Sequence, residues 1–227
     1  MIGKGYYGDG TAMKIQYVSF FREGDRAEGP LEDYLADLQS ESDTHLTISA
    51  IRTSSNWHQD LRSLLLAELD ILIVGCHGHD SRTGFYIGDQ PVRWHELASV
   101  LKDCLPRSCS FIFYSCNGGY PGIGHMFYGA GGPDYIFGPY IEVDADAMKY
   151  AARQIVRWKR EGGTSTPEGA CALVDEVNDW SKSMYSHKYD QSFLRVQWTD
   201  GRKTHRHPDE PGPDKPKSPL IPLKIKL

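Results

Sequence analysis

Two short apolar runs constrain this chain most: LDILIVGCHGH, from Leu69 to His79, and SFIFYSCNGG, from Ser110 to Gly119. Each is continuous, carries β-branched or aromatic residues and closes on turn signals, the pattern of a strand covered on both faces. Strands of this kind occupy the middle of an open α/β sheet, and sites form at their carboxyl ends. Two adjacent parallel strands would therefore hold His77 and Cys116 side by side at one edge of the sheet.

The flanking sequence supplies the remaining elements. KIQYVSFF, residues 14–21, reads as a first strand and is broken by Gly24, Gly29 and Pro30. Leu31, Tyr34, Leu35 and Leu38 then share one helical face, and HLTISAI, residues 45–51, reads as a second strand. Trp57, Leu61, Leu64, Leu65 and Leu69 repeat at helical spacing and predict a helix running into the strand that ends at His77. A strand, helix, strand succession favours parallel pairing with right-handed crossovers.

After His79, a short FYI segment between Thr83-Gly84 and Gly88-Asp89 reads as a small hairpin or edge excursion. Trp94 to Cys104 is amphipathic and leads into SFIFYSC. YIFGPYIEV, residues 135–143, resumes a strand that Pro139 demotes toward an edge or a bulge. Asp144 or Asp146 is placed to cap a helix from Ala145 to Lys159, and Thr166 to cap a second one that has Pro167 at its first position. FLRVQW, residues 193–198, is the last strand candidate. The expected fold class is α/β, with a mostly parallel central sheet flanked by helices on both faces. The expected organisation is a flexible lead-in over 1–12, a single domain over 13–204 and a Pro/Lys-rich tail over 205–227.

Composition narrows the function classes. The chain has 227 residues and a net charge of -5, enough length for a real core and no global attraction to nucleic acid or an anionic membrane. No run is long enough for a membrane span, and the N-terminus lacks a signal-peptide core, so a cytoplasmic protein is expected. Five cysteines, at 76, 104, 109, 116 and 171, show no CxxC spacing. Reduced thiols are expected, rather than a disulfide framework or a structural zinc site. The cluster Arg157, Trp158, Lys159 and Arg160 is expected to be a solvated helix end.

The chemistry lies where the two runs end. A cysteine attacks as thiolate, which needs a base or a favourable field, and histidine supplies the base near neutral pH. Cys116 follows His77 by 39 residues, one helix and its turns. Glycine after each residue lets backbone N–H groups aim at a developing oxyanion, and Gly78 and Cys116 are the expected donors.

An apolar strand ending in His-Gly, a helix, then an apolar strand ending in small residue, Cys, x, Gly resembles the caspase-like (clan CD) cysteine peptidases, most closely their CHAT-domain branch. The matching blocks are Ile71 to Gly78 and Phe111 to Gly118. Tyr-Ser-Cys-Asn-Gly and the gap of 39 depart from the caspase pattern Q-A-C-x-G with its gap of about 50. The resemblance implies an endopeptidase with Cys116 as nucleophile and His77 as proton carrier, working through a thioester without cofactor, metal or third catalytic member. It also implies a protein or peptide substrate, leaves a regulatory protein partner open, and gives the only link to bacterial defence or stress responses.

Substrate preference stays open: Arg22 and Arg26 would suit an acidic side chain, Asp80 and Asp144 a basic one. Two other readings stand beside the peptidase. His77, Gly78, His79 and Asp80 also read as a fragment of a metal-hydrolase cluster, although His95, His125 and His187 are isolated. Alternatively the fold is kept without chemistry, as an interaction module, with Tyr120, Phe127, Tyr128, Tyr135 and Tyr140 as exposed binding aromatics or lid packing.

Overall fold

The computed structural model describes residues 12–53, 55–65, 67–79, 83–106, 108–119, 126, 133–162, 166–184, 193–198 and 203–205. The chain opens with β1 (Met13–Ser19), α1 (Gly29–Gln39), β2 (Thr44–Ala50), α2 (Trp57–Leu64) and β3 (Ile71–Gly75). A hairpin of β4 (Gly84–Ile87) and β5 (Gln90–Arg93) leads to α3 (Trp94–Leu101), β6 (Ser110–Tyr114) and β7 (Tyr135–Pro139). Then come α4 (Ala145–Arg160), α5 (Pro167–Met184), β8 (Leu194–Trp198) and β9 (Lys203–His205).

One sheet has the order β2-β1-β3-β6-β7-β8-β9. Its first five strands are parallel, β8 runs antiparallel to β7, and β9 runs antiparallel to β8. The α/β class with a mostly parallel sheet and helices on both faces is the architecture found. Alternation along the central strands explains the two layers of core. Ile15, Tyr17, Ile71, Ile73, Ile112 and Tyr114 face α1, α4 and α5. Val18, Leu72, Val74, Phe111 and Phe113 face α2, α3 and the hairpin.

Several boundaries differ from the sequence reading for local reasons. The helix expected to reach Leu69 ends at Leu64, with Leu65 extended at ψ 130°. The Gln16 amide donates to the Leu64 carbonyl at 2.7 Å, which satisfies a group the helix end would leave open. Pro139 does not mark an edge: β7 lies between β6 and β8, and the proline occupies its last position, where a ladder donor is dispensable. His205, placed at the head of the tail, belongs to β9, and its Nε2 lies 2.9 Å from Asp175 Oδ1 on α5. Three residues are too few to show strand alternation in a sequence. Residues 1–11 and 206–227 lie outside the described residues.

The basic helix end is not simply solvated. Lys159 is 3% exposed and donates to the Ser108 carbonyl at 2.6 Å, and Arg160 pairs with Glu41 and Asp43. Only Arg157 of that cluster is largely exposed, paired with Glu161 one turn on. The α5 cap is as expected, with Gly169 N–H donating to Thr166 Oγ1 at 3.3 Å. Among the described residues no helix is long and apolar enough to cross a membrane.

The start of β8 depends on one buried polar side chain. Asn178 on α5 accepts from the N–H groups of Phe193 and Leu194 and donates to the Leu194 carbonyl, each at 2.9 Å. Removing the amide strands three backbone groups in a dry environment. Asn178→Ala is therefore expected to lower stability by about 3 kcal/mol in urea unfolding followed by circular dichroism.

Candidate active site at two parallel strand ends

Gly75, the last residue of β3, is in register with Tyr114, the last of β6. Two residues further along each strand stand His77 and Cys116. The pairing outlasts the strands, since Cys76 N–H donates to the Tyr114 carbonyl at 3.2 Å. By the same alternation His77 follows Ile71 and Ile73, and Cys116 follows Ile112 and Tyr114, onto the face of α1 and α4. Cys76 falls on the opposite face, 1% exposed, and burial pushes its thiol up to about 12. Cys116 is only partly buried. Parity thus separates a structural cysteine from a reachable one.

Gly78 is where the strand ends touch. A Cβ there would lie 1.8 Å from the Cys116 carbonyl oxygen, so no other residue fits. Gly78 forms an antiparallel bridge with Phe85, and its neighbours make the bonds: His79 N–H to the Gly84 carbonyl at 2.8 Å and Tyr86 N–H to the His77 carbonyl at 2.9 Å. Residues alternate in direction along a strand, so the N–H of Gly78 points away from the hairpin, toward the Cys116 side.

The imidazole of His77 has a partner that the sequence reading missed. Its Nε2 lies 2.7 Å from Oδ2 of Asp25, in the loop after β1. Burial alone would raise the Asp25 carboxyl, but the Ala27 N–H at 3.0 Å and His77 outweigh it and hold the group below its usual range. An ionised carboxylate only accepts, which places the ring proton on Nε2 and leaves Nδ1 as the basic nitrogen. The His77 side chain is 50% exposed and that of Asp25 17%, so solvent reaches the imidazole more readily than the carboxylate. Phe21 packs edge-on against the imidazole at 5.0 Å. The loop after the first strand is a place where sites of this fold form, but REGDRAEGP, residues 22–30, holds Glu23, Asp25 and Glu28, and nothing local singles out Asp25.

That loop is fastened from two sides. Glu28 is 4% exposed, accepts from the Tyr17 hydroxyl at 2.6 Å and lies 3.7 Å from Arg52, which also donates to the Phe21 carbonyl and the Ser19 hydroxyl. The Tyr114 hydroxyl, two residues before Cys116, lies between the carbonyls of Ala27 at 3.2 Å and Ala145 at 2.9 Å. The Cys116 strand, the Asp25 loop and the start of α4 therefore share one buried hydroxyl.

Cys116 begins a tight turn. Asn117 takes φ 61°, a left-handed conformation that asparagine tolerates better than most residues, and its N–H donates to the Ile141 carbonyl. The thiol receives the Val143 N–H at an N···S distance of 3.5 Å, and Sγ lies 3.8 Å from the Val143 carbonyl.

The other candidates are dispersed. Arg22 is exposed and paired with Asp89 in the hairpin turn, and Arg26 is exposed. Asp144 follows Val143 and caps α4 by accepting from Asp146 N–H at 3.2 Å. Asp80, His125, His187, Tyr120, Phe127 and Tyr128 lie outside the described residues. His79 stacks on Tyr86 at 5.2 Å, and His77 is taken by Asp25. Among the described residues no three His, Cys, Asp or Glu side chains are grouped to hold a metal. Tyr135 and Tyr140 are buried, the latter under the Arg195 guanidinium at 3.8 Å, so neither is an exposed binding aromatic.

No family model matches this chain, and no curated protein matches it. Among solved structures, a secreted C11 cysteine protease from Bacteroides thetaiotaomicron, iotapain, is similar with a TM-score of 0.53 and 12% identity, over 83% of this chain and 67% of that one. That likeness is one of fold, and the neighbour's fold is caspase-like. A short-chain flavodoxin associated with a bacterial microcompartment aligns at a TM-score of 0.37 and 13% identity, over 66% of this chain and 99% of that one.

Two outcomes follow from this geometry. Gly78→Ala is expected to cost about 3 kcal/mol or to prevent folding, because its methyl meets backbone rather than a yielding side chain; chemical denaturation measures it. Asp25 has a folded-state pKa below its unfolded value of about 3.9. Its contribution to stability is therefore full above that unfolded value and is lost as pH falls through the folded one. Asp25→Asn should unfold more easily than wild type at pH 6, and the difference should vanish in strong acid.

Proposed function

We propose that this protein is a caspase-like cysteine endopeptidase in which Cys116 is the nucleophile, His77 the general base and Asp25 the residue that orients the imidazole. The observation carrying this reading is the 2.7 Å contact from Asp25 to His77 on a strand end in register with that of Cys116. Nucleophile, base and orienting acid are the recurrent parts of thiol and hydroxyl acyl transfer on unrelated folds.

Chemistry then proceeds in balanced steps. His77 Nδ1 takes the thiol proton, and Sγ attacks the peptide carbonyl carbon. The resulting oxyanion is met by the N–H groups of Gly78 and Cys116, donors fixed before the reaction. The imidazolium, stabilised by Asp25, returns the proton to the leaving amine as the C–N bond breaks. Water activated by His77 hydrolyses the thioester and frees Cys116.

Surrounding charge favours one of the two side-chain preferences. The Tyr114 hydroxyl beside the site is pushed up by burial, then by Asp146, Asp144 and Glu28. Arg22 is neutralised by Asp89. An acidic neighbourhood supports cleavage after a basic side chain, with Asp144 as its contact, and does not support cleavage after an acidic one.

The test is a fluorogenic peptide library with an electrophilic thiol label. Cys116→Ala is expected to abolish turnover and labelling, and His77→Ala to reduce kcat/KM by about 10³-fold or more. Asp25→Asn should reduce kcat by about 10²-fold with little change in KM. If wild type and Cys116→Ala show the same turnover and labelling, the peptidase reading is wrong.

A further inference from the structure

One side chain reaches Asp25, His77 and Cys116 together. Tyr114 ends β6, in register with Gly75 at the end of β3, and stands two residues before Cys116. Its carbonyl accepts from Cys76 N–H, so its backbone sets the height at which His77 leaves β3. Its side chain is buried in the core layer of α1 and α4. The ring meets Phe21 edge-on at 6.3 Å, and Phe21 meets the His77 imidazole edge-on at 5.0 Å. Packing of the ring thus supports the imidazole from below.

The hydroxyl does something the ring cannot. It lies 3.2 Å from the Ala27 carbonyl and 2.9 Å from the Ala145 carbonyl, so one phenolic proton is shared between the loop after β1 and the start of α4. Ala27 N–H donates to Oδ1 of Asp25 at 3.0 Å, while Oδ2 lies 2.7 Å from His77 Nε2. The torsion that turns a carboxylate is broad, so a donor on the first oxygen is what keeps the second one aimed. Ala145 follows Val143 by two residues, and Val143 N–H donates to Cys116 Sγ at 3.5 Å. Ala27 and Ala145 are only half-buried. Without the hydroxyl, water can bond both carbonyls, which spares the fold and leaves the two segments unlocated.

We propose that Tyr114 is the positioning residue of this site: its hydroxyl, by holding the Ala27 and Ala145 carbonyls, keeps the Asp25 carboxylate aimed at His77 and Val143 seated on Cys116. A tyrosine present for packing alone would lose nothing as phenylalanine, which fills the same space but for one oxygen. The effect on turnover rests on the peptidase reading, and the placement of Asp25 does not.

Tyr114→Phe tests this, with the titration of Asp25 in the folded protein followed by carboxyl ¹³C NMR and peptide turnover measured beside it. The circular dichroism spectrum should match wild type. Should the variant fail to fold, Tyr114→Met, flexible enough to fill the space and equally without a hydroxyl, takes its place. In wild type, burial raises the Asp25 carboxyl, and the Ala27 N–H, His77 and Arg22 together bring it below its ordinary value. With Ala27 released, the midpoint should rise toward the ordinary value of about 3.9. Turnover should fall about tenfold in kcat with little change in KM, less than for Asp25→Asn, because the carboxylate remains but is no longer aimed. An Asp25 midpoint that stays at its wild-type value overturns the proposal. So does an unchanged kcat where Cys116→Ala abolishes turnover. If the midpoint moves while Cys116→Ala turns over peptide like wild type, the placement of Asp25 by Tyr114 stands and the peptidase reading falls.

Discussion

The site depends on the parallel ladder between β3 and β6. Because Gly75 is in register with Tyr114, the residues two places beyond each strand meet, and alternation puts both on one face. A slip of one residue would offer Cys76 or Ser115 instead. Register is held by what surrounds it: Ile73 and Ile112 must face one core and Val74 and Phe113 the other, with no polar face that would tolerate sliding.

Around that ladder the loops are fixed by hydrogen bonds to the sheet rather than by their own sequence. Tyr17 and Arg52 hold Glu28, and Glu28 opens α1 and ends the turn that begins at Asp25. Tyr114 ties the same loop to the start of α4, where Val143 reaches the thiol. These contacts come from three strands and two loops, so a change beneath the site is transmitted to Asp25, His77 and Cys116 together.

The fold and the placement of His77 and Cys116 at adjacent strand ends were legible in the sequence for one reason: both depend on local patterning. Continuous apolar runs identify central strands, and the residues that end them fall at the carboxyl edge. Asp25 was not legible, because a loop carboxylate becomes an orienting group only through a histidine 52 residues away. The same holds for Asn178 and Lys159, polar residues at helix positions that look solvated until the pairing partners at Phe193 and Ser108 are placed. Pro139 misled because its rule concerns a missing donor, and the last residue of a strand does not need one.

One consequence concerns how such a protein can change over generations. Neither His77 nor Cys116 belongs to either core cluster; both stand just past the strands that make those clusters. Losing the thiol or the imidazole would leave the sheet and its two core layers in place, at the cost of the contacts to Val143 or Asp25. Under the proposed peptidase function, descendants that lose the chemistry while keeping the scaffold are therefore one codon away.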